Sequence, residues 1–110
     1  HKSKGPDIKN KALKSQVPSY PKYPVKSVDQ LLGLVEHTRQ DLAEVTAPIL
    51  LVHSRNDRTV HFDNMQYIYD HVASPRKEKL VLENSYHVIS IDFDKDLVYE
   101  SIAGFVKDIL

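Results

Sequence analysis

Two residues of this 110-residue chain have the types and the spacing for proton-transfer chemistry. Asp57 follows the apolar run Ile49-Leu-Leu-Val52, and His87 follows the shorter run Leu80-Val-Leu82. A carboxylate that accepts the Nδ1 hydrogen of a histidine fixes the tautomer of the ring and stabilises the imidazolium. The histidine can then take a proton from a nucleophile and return it to a leaving group. The two residues stand thirty positions apart, the length of one strand–helix–strand unit. A metal is the competing use of such side chains, since His53, Asp57 and His61 recur at every fourth position. That spacing gathers residues on one face only within a helix, and this stretch crosses a loop, so no metal site is expected.

The elements that must position the pair are legible from periodicity. Val28, Leu31, Leu32, Val35, Leu42 and Val45 recur on one helical face, which predicts an amphipathic helix over residues 28–45 that opens at Ser27 and Gln30 and ends before Pro48. Ile49–Val52 and Leu80–Leu82 are continuous β-rich runs of the kind buried on both faces of a parallel sheet. Between them, Met65, Ile68, Tyr69 and Val72 line one face of a helix starting near Asp63 and ending at Ser74-Pro75; that face is core and not a cofactor groove. Val98, Ile102, Phe105, Val106 and Ile109 form the stripe of a last helix, with Asp92 and Asp94 suited to its N-terminus. The succession β-α-β-α implies parallel strands with a right-handed crossover, in an α/β fold. Ligands in open α/β sheets bind at the carboxyl ends of the strands, where Asp57 and His87 both fall. Two strands do not complete such a sheet. The chain also starts at His1 and has Met65 as its only methionine, so it is expected to belong to a longer polypeptide.

Composition narrows the function classes. Hydrophobic residues make up 41% and charged residues 27%, which is globular composition. Fifteen basic and fifteen acidic residues give a net charge of zero, so the whole chain has no electrostatic case for nucleic acid. The charge is uneven, however. Residues 1–26 hold seven lysines, one acid (Asp7) and four prolines, and read as a solvated, mobile or extended connector. No apolar run is long enough to span a membrane. The absence of cysteine fits a reducing compartment, and the expected localisation is cytoplasmic.

Three stretches carry a family resemblance. Ala47-Pro-Ile-Leu-Leu-Val-His-Ser-Arg-Asn-Asp57 resembles the strand and acid loop of α/β-hydrolases. Glu83-Asn-Ser-Tyr-His-Val-Ile89, followed by Ile91-Asp92, resembles their histidine loop, and Ser74-Pro-Arg-Lys-Glu78 the turn between the two. The subgroup is that of small bacterial carboxylesterases and monoacylglycerol lipases, and the similarity covers residues 27–110, with the acid preceding the histidine as in that family. It departs in two places. Tyr86 stands where a glycine usually precedes the histidine, and no G-x-S-x-G occurs: the residues two after Gly5, Gly33 and Gly104 are Asp7, Val35 and Val106.

The resemblance implies the C-terminal portion of an α/β-hydrolase fold. Residues 1–26 would be a cap-derived connector, 27–46 a cap helix and 47–110 the end of the core. It implies a serine-dependent carboxylic-ester hydrolase in which Asp57 orients His87 and Val88 lines the substrate pocket. The nucleophile is absent from this chain, which alone would be inactive. The substrate is a small-molecule acyl ester, and no cofactor is implied. Two other readings stand beside it. One is a non-catalytic scaffold or interaction domain on a hydrolase-like fold. The other is a flavodoxin-like signalling module with Asp57 as phosphate acceptor, disfavoured because Arg55 and Arg58 flank it instead of an acidic cluster. An unpaired strand edge would also favour self-association.

Overall fold

A computed structural model describes residues 5–20 and 22–110; residues 1–4 and Pro21, including Lys2 and Lys4 of the basic run, lie outside the described residues. In chain order the elements are α1 (Lys11–Lys14), α2 (Val25–Asp41) continuing into a 3₁₀ turn (Leu42–Glu44), β1 (Ile49–Ser54), α3 (Asp63–His71), β2 (Lys77–Leu82) and α4 (Lys95–Ile109). The strands pair in parallel, from Ile49 opposite Lys77 to Ser54 opposite Leu82. This is the expected β-α-β-α succession, and it brings the ends of both strands to one sheet edge. Among the described residues, no helix is long and apolar enough to cross a membrane.

The element ends differ from the sequence expectation for local reasons. α2 opens at Val25 because Pro24, extended at φ −62° and ψ 138°, supplies the carbonyl that accepts from the amides of Ser27 and Val28. Ser27 therefore sits inside the first turn and caps nothing. α3 begins at Asp63 without a side-chain cap from it; the Asp63 amide donates to His61 Nδ1 at 3.2 Å, and Gln66 donates to Asp70 instead. β2 starts three residues before its apolar run. Lys77 and Lys79 join the ladder through their backbones while their ammonium groups reach Tyr69 O and Gln66 Oε1 and lie over the Tyr69 ring. Long lysine stems cover apolar surface in this way while the charge stays wet.

The buried apolar residues are Ile8, Leu42, Met65, Val72, Leu82 and Val98. α3 turns its expected face inward, with Met65 buried and Ile68 and Tyr69 half-buried. The stripes on α2 and α4 are not covered: Val28, Leu31, Leu32 and Val35 on the first and Ile102, Val106 and Ile109 on the second remain exposed, and of the two expected faces only Leu42 and Val98 are buried. β1 is likewise half-buried from Ile49 to His53 rather than covered on both faces, because β2 is its single strand partner among the described residues.

The N-terminal segment corrects the expectation of a solvated connector. Asp7 and Ile8 are buried, and the amides of Lys9 and Asn10 donate to the two carboxylate oxygens of Asp92 at 2.6 and 2.9 Å. Asn10 then caps α1 by accepting from the Ala12 amide. Gly5, at φ +80°, takes the left-handed turn that leads into this segment. Only from Ser15 onward is the chain largely exposed, as a connector would be.

Candidate active site

The acid loop leaves β1 at Ser54 and the histidine loop leaves β2 at Leu82. The ladder does not stop there: the Arg55 amide donates to Leu82 O at 3.0 Å, Asn56 Nδ2 to Glu83 O at 3.0 Å, and Ser54 Oγ to Ser85 O. Arg55 also pairs with Glu83 across the gap. The two loops therefore leave the sheet as one stitched unit, which holds their tips in a fixed relation.

At those tips, Asp57 Oδ2 and His87 Nδ1 lie 2.9 Å apart. Asp57 Oδ1 accepts from the amides of Thr59 and Val60, both at 2.8 Å. The Asp57 side chain is only 2% exposed. Burial pushes its carboxyl up, but the hydrogen bonds from Val60, His87 and Thr59 and the charge of His87 outweigh burial and hold it below the ordinary aspartate value. Asp57 is thus ionised at neutral pH and can only accept, so the His87 nitrogen that faces it carries the hydrogen. The lone pair of His87 is left on Nε2, on a ring 42% exposed. A ring in this tautomer can act as a general base toward a nucleophile placed on its exposed side.

The buried N-terminal segment locks the two loops from outside the sheet. Asp7 accepts from the Arg58 amide at 2.9 Å and pairs with Arg58 Nε at 2.7 Å, next to the acid. Its backbone carbonyl accepts from the amides of His87 and Val88 at 3.0 and 3.3 Å. The Arg58 guanidinium lies 4.1 Å over the Tyr86 ring, which gives the residue replacing the usual glycine a defined place. Asp92 completes the arrangement: nearly wholly buried, it accepts from the amides of Lys9, Asn10, Tyr86 and Phe93. Burial pushes its carboxyl up, and these amides more than reverse that. It was expected to serve the α4 N-terminus. Instead its side chain joins the histidine loop to residues 9 and 10, while its carbonyl accepts from the Lys95 amide.

The fold thus brings Asp57 and His87 together. Val88 lines a cleft of about 680 Å³ beside His87, with Val17, Pro18, Tyr23 and Thr59. A second cleft of about 240 Å³ meets the pair from the side of Met65 and Ile68. His61 is turned away to Asp63 at 3.4 Å, and among the described residues no group of three potential ligands is placed to hold a metal ion. Sequence reasoning passed over Asp7, whose only signal was to be the one acid among seven lysines, and His53, which was weighed only as a metal ligand.

Comparison with known proteins agrees with this architecture. The Hydrolase_4 family model, described as serine aminopeptidase S33, matches residues 9–94. The thermostable monoacylglycerol lipase of Bacillus sp. (strain H-257) is 35% identical over 104 residues, covering 94% of this chain and 41% of that protein. The carboxylesterase of Bacillus subtilis (strain 168) is 24% identical over 95 residues, covering 86% of this chain and 39% of its own length. A solved structure from work on LipS and LipT, two metagenome-derived lipolytic enzymes, superposes with a TM-score of 0.84 at 38% identity, over 94% of this chain and 42% of that one. The chain spans about two-fifths of the length of these relatives. On the family match and the parallel strand–helix architecture together, the chain belongs to the Hydrolase_4 family and is part of an α/β-hydrolase fold.

Proposed function

We propose that this chain carries the acid and base of a serine-dependent carboxylic-ester hydrolase acting on small acyl esters. The observation that supports it most is the 2.9 Å contact between buried, ionised Asp57 and the Nδ1 of partly exposed His87. A serine supplied from outside residues 1–110 attacks the ester carbonyl while His87 Nε2 accepts its proton. The resulting imidazolium protonates the leaving alcohol. His87 then takes a proton from the water that attacks the acyl-serine, and it gives that proton to the serine oxygen as the C–O bond breaks and the acid leaves. Asp57 stays ionised throughout and holds the ring. The smaller cleft at the pair, lined by Leu51, Val60, Met65, Ile68 and Ile89, suits an acyl chain, while the larger one beside Val88 also carries Asp7 and Arg58. The lipase and carboxylesterase relatives favour this substrate class.

An organophosphonate ester probe tests the proposal on the protein as encoded, with any flanking residues present. It should label a single serine outside residues 1–110, and His87→Ala should suppress the labelling, because an unactivated serine hydroxyl is a weak nucleophile. Absence of any labelled serine would leave the scaffold reading in its place.

A further inference from the structure

A second imidazole meets the same carboxylate oxygen. His53 Nε2 lies 3.0 Å from Asp57 Oδ2, the oxygen that also faces His87. We infer that His53 is a positioning residue: its Nε2–H occupies the last acceptor site of Asp57 and fixes the plane in which that carboxylate meets His87. This rests on the reading of Asp57 and His87 as acid and base.

The acceptor count carries the inference. An ionised carboxylate offers about four lone-pair sites. Thr59 and Val60 take the two on Oδ1, and His87 and His53 take the two on Oδ2. With the Asp57 side chain 2% exposed, water has almost no access to replace a missing donor. The two imidazoles also differ in how firmly they are held. His53 is a β1 residue with its backbone opposite Val81 in the ladder, a side chain 14% exposed, and a ring packed at 5.6 Å against Phe62. His87 is on a loop and three times as exposed. The rigid ring therefore orients the acid, and the acid orients the ring that must exchange protons. Because Asp57 can only accept, His53 is fixed as the Nε2–H tautomer. Without it, the carboxylate keeps its Oδ1 anchors but can rotate about its terminal torsion and carry Oδ2 off the His87 axis. A displacement of that kind at a reacting group is costly in rate and not in substrate binding.

The test uses the protein as encoded, in three substitutions assayed on a short-chain nitrophenyl ester. His53→Leu removes the donor at similar bulk and should lower kcat about tenfold with KM within about twofold of the unsubstituted protein. His53→Gln places an amide N–H near the Nε2 position and should restore kcat to within about threefold. A purely structural role would not separate these two. Long-range ¹H–¹⁵N spectra of the unsubstituted protein should show His53 with Nε2 protonated and Nδ1 bare, a reading that holds even if His53→Leu does not fold. His53 found as the Nδ1–H tautomer, an undiminished kcat in folded His53→Leu, or equal losses in Leu and Gln would each overturn the assignment. His87→Ala is the third substitution. If it is inactive while His53→Leu is not impaired, only the His53 assignment falls; if it turns over normally, the acid–base reading falls and the His53 assignment with it.

Discussion

Asp57 and Asp92 meet the cost of burial in the same manner, by saturating their oxygens with hydrogen-bond donors. Both carboxyls are held below the ordinary value after burial alone would have raised them. A group whose folded value is depressed contributes stability above its unfolded value, about 3.9 for aspartate, and loses it as pH falls through the folded value. Urea midpoints should therefore hold steady from neutral pH down to about pH 5 and decline below about pH 4, where aspartates of the unfolded chain bind protons that these two carboxylates resist in the folded state. Asp92→Asn should be less stable at neutral pH and should decline less steeply in acid. Parallel acid declines would show that Asp92 has no part in the pH dependence. The types of Asp57 and His87 and their places after two strands were readable from the chain, because a loop at a strand end is a local feature. The donors on Asp57 were less so. Thr59 and Val60 reach it only through the turn that Asp57 itself organises, and the Nε2 contact of His53 needs the ring to leave the strand toward the loop.

At the scale of elements, segment 7–10 does what neither loop does alone. It touches the acid loop through Arg58, the histidine loop through the amides of His87 and Val88, and Asp92 through two amides of its own. Arg58→Ala leaves the Asp7 carboxylate buried with, among the described residues, one remaining donor, the backbone amide of residue 58. The loss should be about 1–2 kcal/mol by urea denaturation, below that of a fully buried pair because Arg58 is half in solvent. Asp92→Ala should speed hydrogen exchange at the amides of Lys9, Asn10 and Tyr86 together, since all three lose one shared acceptor. Faster exchange at Tyr86 alone would contradict the idea of a common clamp. The helices and strands were legible because their apolar periods are local. The packed segment was not, since Lys9 and Asn10 find their acceptor more than eighty positions away and nothing near them signals it. Composition there, seven lysines and four prolines among 26 residues, reads as an exposed connector and hides the buried Asp7 and Ile8.

At the scale of the whole molecule, α2 shows its apolar stripe and β1 its half-buried face to solvent, and both surfaces are of the kind that α/β folds cover with further elements. Residues 1–110 in isolation should therefore sediment as self-associated or unfolded material at micromolar concentration, through the free edge of the sheet. A cooperative, folded monomer would contradict that. The proposed ester hydrolysis is assayed on the protein as encoded, and it offers the most direct test of the proposed acid and base. The measurement is kcat on a short-chain nitrophenyl ester for Asp57→Asn, His87→Ala and the double substitution. Asp57→Asn should fold normally and lose kcat by on the order of 10⁴, because its amide holds His87 in the wrong tautomer. His87→Ala should be essentially inactive, and the double substitution little worse, since members of one proton-transfer unit are not additive. Retention of more than about a tenth of kcat by His87→Ala, against the losses expected for a triad base, would contradict the assignment of Asp57 and His87.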